Sequence, residues 1–191
     1  MRTLNAAVLL IAPWLGLAAL RAHPPASHGS PETAAQDSMP ASLRNEMTQL
    51  TQGSGRWIVD NHAYRNDDEP WDQYGTEWSW GLGQQTVRGR LYAVVGGRDV
   101  RTFWEFRLFW HPGERRAILQ QFGSDGTVGI GPMVQEGTEV FVDQTFDSPD
   151  GTSYRVGHRS SFAGDIHITE SLNRVGDRWE KRRRYEWKRT P

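Results

Sequence analysis

Apolar side chains recur in two rhythms along the chain, and the rhythm changes near residue 55. Before that point Leu43, Met47 and Leu50 fall at i, i+4 and i+7, one stripe of a helix. Pro40 stands where a first helical residue belongs and Gly53 is a stop signal, so the spacing predicts a short helix over 41–52. Such a helix either closes one end of a barrel or packs outside it. From Arg56 onward the period is two and turn signals come every 8–14 residues. This predicts strands near 56–60, 76–82, 86–95, 99–110, 115–122, 126–134, 138–147, 152–162, 165–174 and 178–189. The connections are short and rich in Gly, Asp and Pro, as at Gly96-Gly97, Pro149-Asp150-Gly151 and Gly176-Asp177. Short connections pair neighbours antiparallel, and a ten-stranded meander closes on itself to remove its two edges. The expected fold is therefore all-β, an up-and-down antiparallel barrel of about ten strands with a short N-terminal helix. The polar stretch Asn61 to Tyr74 reads as a mobile loop at a barrel mouth.

Alternation assigns the faces. On the last strand Trp179, Lys181, Arg183, Tyr185, Trp187 and Arg189 share one side, and the other side is wholly charged, hence outside. The same reading turns Trp78 and Trp80 inward, then Leu91 and Ala93, then Val100, Thr102, Trp104, Phe106, Leu108 and Trp110. Val140, Val142, Gln144 and Phe146 follow, then Tyr154, Val156, His158 and Phe162, then Ile166, Ile168, Glu170 and Leu172. His167 is expected outward. Tyr92, Phe103, Phe109 and Phe141 are left facing out, where a homodimer contact would place them.

The chain divides into a signal peptide at 1–22, a flexible linker at 23–40 and a barrel domain at 41–191. Arg2 precedes an apolar run from Ala6 to Leu20 interrupted by Pro13 and Gly16, and small residues follow, which is the order of a secretory signal. The run is short for a membrane anchor. Its removal takes Arg2 and Arg21 and moves the formal charge from -1 to -3. The expected location is periplasmic or secreted, with no membrane span after cleavage. His23 to Met39 is rich in Pro, Ala, Ser, Gly and Gln.

Cysteine is absent, which excludes disulfides, thiolate metal sites and a cysteine nucleophile. The near-neutral charge gives no support to a nucleic-acid partner. Nine Trp, five Tyr and seven Phe suit a wide barrel interior. His62, His111 and His167 lack companions at metal-ligand spacing, so no metal site is expected, and no cofactor is specified.

Hairpin arithmetic gives the candidate site. A two-residue turn at Gly176-Asp177 sets Glu170 opposite Arg183, and a three-residue turn at Ala163-Gly164-Asp165 sets His158 opposite Glu170. His158, Glu170 and Arg183 would then form one inward row. Such a row either seals the barrel as a structural cluster, or offers donors to an acidic or carbonyl-bearing ligand, or supports acid–base catalysis. The expected function is an exported carrier of a small apolar or amphipathic molecule. Trp80, Trp104, Phe106, Tyr185 and Trp187 would be its walls, and Gln144, His158, Glu170 and Arg183 its polar contacts. An enzyme working through the row and a filled barrel acting through its surface are the alternatives.

Gly55-Arg56-Trp57 after a short helix, with Arg182 to Arg184 on the closing strand, resembles the calycin superfamily: lipocalins, fatty-acid-binding proteins and the ten-stranded haem-binding nitrobindin group. In that group a first-strand Trp, matching Trp57, packs beneath an Arg of the last strand, here Arg183 or Arg189. The stretch Glu77 to Gly83, Asp150-Gly151 and Trp179…Tyr185…Trp187 also resemble bacterial lipocalin-like proteins over about residues 53–190. The resemblance implies a cavity for an apolar molecule and no named reaction. Haem chemistry would need an inward His near the closing strands, and His158 is the nearest match. Unlike secreted lipocalins, the chain has no disulfide.

Overall fold

A computed structural model describes residues 38–191. The signal peptide read at 1–22, and the linker up to residue 37, lie outside the described residues. Helix α1 (Ala41–Thr51) leads into ten strands: β1 (Arg56–Asp60), β2 (Gln73–Trp80), β3 (Thr86–Val95), β4 (Arg98–His111), β5 (Arg116–Gly123), β6 (Val128–Glu136), β7 (Glu139–Asp147), β8 (Ser153–Ala163), β9 (Ile166–Val175) and β10 (Arg178–Arg189). They form a closed antiparallel barrel in which each strand pairs with its sequence neighbours and β1 pairs with β10. The second strand starts earlier than its composition suggests, because Gln73 to Gly75 pair with both β1 and β3. Leu82 to Gln84, after it, form a short 3-10 turn.

The helix settles the choice left open by its stripe. Leu43, Met47 and Leu50 pack with Val87, Leu108 and Ala117, so α1 closes the end of the barrel where β4 ends and β5 begins. The indole N–H of Trp57 donates to the Leu50 carbonyl at 3.0 Å, tying helix to first strand. Large inward rings are seated on glycines of the next strand. A Cβ on Gly129 would stand 2.4 Å from the Phe146 ring, so that position has room only for hydrogen.

Three departures from simple alternation decide which side chains reach the interior. In β4 the partner of β3 shifts between Leu91 and Tyr92 and again between Ala93 and Val94. Phe103 consequently packs against Trp71 and Tyr74, at 5.9 and 5.8 Å, instead of facing out, and Val100 is half exposed instead of inward. In β10 a bulge falls between Lys181 and Arg183. Arg183, Tyr185, Trp187 and Arg189 keep the expected side. Trp179 is carried to the outer face, where it meets the outward Phe141 at 5.7 Å. In β9 the parity is the reverse of the expectation: His167, Thr169 and Ser171 face the interior, while Leu172 is covered outside, paired with Gly157 and Lys181.

Tyr92 does face outward but is wholly covered. Its ring lies against Gly75, between the guanidinium groups of Arg56 and Arg90 at 5.3 and 4.2 Å. Two of the four rings assigned to a homodimer contact, Tyr92 and Phe103, are thus taken up by the chain itself. Among the described residues, no helix is long and apolar enough to cross a membrane.

Candidate functional site

The barrel interior holds a partly open cavity of about 370 Å³. Trp104, Phe106, Tyr185 and Trp187 line it, together with Trp78 and Phe146. Of the predicted polar contacts, His158 lines it and Glu170 stands at its edge. Trp80 does not: it packs against the cluster under α1. Gln144 is fully buried in the wall, where it accepts from Gln121 Nε2 at 2.6 Å and donates to the Leu119 carbonyl at 3.2 Å. That pair satisfies both amides and leaves Gln144 a structural crosslink between β5 and β7.

The row of His158, Glu170 and Arg183 does not form. The β8–β9 connection is a two-residue turn, Gly164-Asp165, with Ala163 opposite Ile166, so His158 faces Ser171 and Arg159 faces Glu170. The β10 bulge then sets Arg183 opposite Ser171 and Arg184 opposite Glu170. Each change shifts the register by one residue, which moves Glu170 to the other side of the sheet from His158. Glu170 pairs instead with Lys181 and with Arg184 at 3.2 Å, and these hold its carboxyl below the usual range.

Arg183 is engaged by the loop between β1 and β2. Its two terminal nitrogens each donate to Glu69 at 2.6 Å, and the Tyr74 hydroxyl donates to the same carboxylate at 3.0 Å. The hydrogen bonds from Arg183 hold Glu69 below the usual carboxylate range. Tyr185 donates to Asn61 at 3.2 Å, and Tyr64 accepts from the Arg184 amide at 3.0 Å. The polar loop expected to be mobile is thus stitched to β10. Breaking this fork-to-carboxylate pair leaves a half-buried charge unpaired. Glu69→Gln should therefore lower the unfolding free energy by about 1–3 kcal/mol in urea denaturation. An unchanged midpoint would show that the pair is only a surface contact.

Arg189 meets the geometry named for a last-strand arginine: its guanidinium lies 4.6 Å from the Trp57 ring centre. It also donates to Gln52 Oε1 at 3.0 Å.

Several lining residues escaped sequence reasoning. Glu46 follows Leu43 by three positions and precedes Leu50 by four, so it belongs to the apolar stripe and faces the cavity. It is 9% exposed and its contact is with the Ser160 hydroxyl, 3.5 Å away. Burial pushes its carboxyl up to about 7. His167 stacks on Phe162 at 4.6 Å and lies edge-on to Trp57 at 5.6 Å. Burial depresses His158 to about 4 and His167 to about 3, so both are neutral imidazoles at ordinary pH. Thr76, Trp78, His158 and His167 each hold a buried side-chain N or O atom with no hydrogen-bond partner, and all four line the cavity. Thr169, in contrast, accepts from the Trp187 indole at 2.8 Å. The interior is thus an apolar, ring-walled space with scattered neutral polar groups and one buried acid.

No family model and no curated protein matches the chain. Among solved structures it is similar to the crystal structure of Rv2717c from M. tuberculosis, with 13% identity, covering 80% of this chain and 100% of that one, at a TM-score of 0.48. That overlap carries nothing about function. The closed ten-stranded barrel stands on the chain's own pairing, and calycin membership is a resemblance only.

Proposed function

We propose that the chain is an exported binding protein that holds a small apolar or amphipathic molecule inside its barrel. The observation that carries this reading is the cavity of about 370 Å³ bounded by Trp78, Trp104, Phe106, Tyr185 and Trp187. That volume is within the range of small-molecule sites, and such sites combine apolar walls with a few polar groups. A barrel that served only as a scaffold would fill its interior, because empty apolar volume is destabilising. The order of charged, apolar and small residues at the N-terminus supports export. The enzyme alternative loses its basis once His158, Glu170 and Arg183 are separated by register.

Native mass spectrometry of the purified protein tests the reading, combined with thermal melting against a library of lipids and aromatic compounds. The expected result is a retained small mass, or a library member that raises the melting temperature. Ligand-free protein in every preparation, with no shift from any library member, would reject the carrier reading.

A further inference from the structure

The charges around the cavity are unevenly provided for. Glu170 is neutralised by Lys181 and Arg184. Arg183, which is not among the residues lining the cavity, is taken by Glu69. Arg159 lies with its guanidinium 5.7 Å from the outward Phe141 ring, and Arg182 is exposed at the bulge. Glu46 alone, among the described residues lining the cavity, is a buried ionisable acid with no ion-pair partner. An isolated buried carboxylate is strongly disfavoured, and its complement is a cation entering from the ligand side.

Position supports the same assignment. Ser160, in contact with Glu46, pairs with Thr169 on β9. His158 is two residues before Ser160 on the same face of β8, and His167 is two residues before Thr169 on β9. The acid therefore stands over a patch of hydroxyls and neutral imidazoles, while Trp78, Trp104, Phe106 and Trp187 supply ring faces in the same cavity. Ring faces attract organic cations through their quadrupoles, and a cation desolvated in such a space gains most. A carboxylate ligand would meet the opposite: a buried acid and no free buried cation.

We propose that the barrel selects a protonated amine carried on an apolar ring or short chain, with Glu46 as its counter-ion. This rests on the carrier reading and specifies the ligand class. The titratable and charged residues that border the cavity with Glu46 are His158, His167, Arg159, Glu170, Arg182, Tyr154 and Tyr185. The two imidazoles stay neutral above about pH 4. Between pH 6 and 8 the group that changes is therefore Glu46, which ionises around 7. Amine affinity should then rise about tenfold from pH 6 to pH 8, as the acid goes from mostly protonated to mostly ionised.

The test is isothermal titration of the full mature chain with three matched indoles: tryptamine, tryptophol and indole-3-propionate. Tryptamine is expected to bind at least about tenfold tighter than tryptophol at pH 8, one hydrogen-bonded ion pair being worth that much. Indole-3-propionate is expected to bind weakest. Glu46→Gln should bring tryptamine down to the level of tryptophol and remove the pH dependence, and Glu46→Asp should restore part of both. Circular dichroism checks that each variant is folded, and the isosteric Gln removes a buried acid and so favours folding. Equal binding of amine and alcohol, or an amine preference that survives Glu46→Gln, overturns the proposal. Tightest binding of the carboxylate overturns it as well and assigns recognition to Arg159 and Arg182. If none of the three binds while other library members raise the melting temperature, the amine proposal fails and the carrier reading stands. If nothing binds at all, both fall.

Discussion

Trp57→Ala should lower the unfolding free energy by about 4 kcal/mol, the largest loss expected from any single substitution in the first strand. Trp57 is fully buried. Its ring is held by Phe162 at 5.8 Å, His167 at 5.6 Å and the Arg189 guanidinium at 4.6 Å. Truncation removes that packing and leaves a void beside the cavity. It also deprives the Leu50 carbonyl of its donor, loosening the helix that closes this end. Arg189 would lose the ring face it rests on but keep Gln52. Urea denaturation followed by far-ultraviolet circular dichroism measures the effect, and Trp57→Phe, which keeps a ring but no indole N–H, should lose roughly half as much. A loss below about 1 kcal/mol for the Ala variant would mean that the site collapses freely and that Trp57 is no keystone.

Acid should destabilise the barrel well before its exposed carboxylates titrate. His158 and His167 are depressed from 6.5 to about 4 and about 3 by burial, so the unfolded chain takes up two protons below pH 6.5 that the folded chain refuses. Their contribution is complete above pH 6.5 and is lost as the pH falls. Glu46 acts in the opposite sense: raised from 4.5 to about 7, it keeps its proton in the fold while the unfolded chain gives it up. Its effect is to favour folding as the pH falls from 7 towards 4.5. Two protons against one bring the slope to about 1.4 kcal/mol per pH unit near pH 5.5, and about 2 kcal/mol is lost between pH 6.5 and 4.5. Stability should level off near pH 7. Urea midpoints measured across pH 4.5 to 8 test this, and Glu46→Gln should steepen the acid limb to about twice the wild-type slope. A flat profile between pH 4.5 and 6.5 would show that the two imidazoles reach water in the folded state.

The barrel was legible from alternation and turn chemistry, because ten strands joined mostly by short turns leave few other topologies. What alternation could not give was the identity of the wall where the wall is polar. On β9 the apolar Ile166, Ile168 and Leu172 look like core, yet His167, Thr169 and Ser171 line the cavity. The rule that apolar residues point inward assumes a filled interior. A strand that faces a cavity can carry hydroxyls and imidazoles on the inside and turn its aliphatic side outward, as Leu172 does while staying buried. The β10 bulge carries no glycine or proline to announce it, only the run Lys181-Arg182-Arg183. A one-residue difference in the turn before β9 could not be read from Ala163, which fits either the strand or the turn. Those two single-residue slips dissolved the predicted row while leaving Tyr185 and Trp187 on the expected side. Glu46 was within reach, since a charged residue inside an apolar helical stripe is a visible anomaly.

The seam of the barrel is its shortest ladder. β1 has five residues, and only Trp57 and Ile58 are in register with β10, opposite Arg189 and Lys188. Beyond Asp60 the gap is spanned by side chains: Asn61 to Tyr185, Tyr64 to Arg184 and Glu69 to Arg183. These contacts join residues 114 to 124 positions apart in the chain. A polypeptide emerging N-terminus first can zip each hairpin as it appears, but it stays an open sheet with a bare first strand until its last dozen residues arrive. Closure is therefore the slow, all-or-nothing step of assembly. The same seam is where the finished barrel should breathe first, opening its wall between the first and last strands.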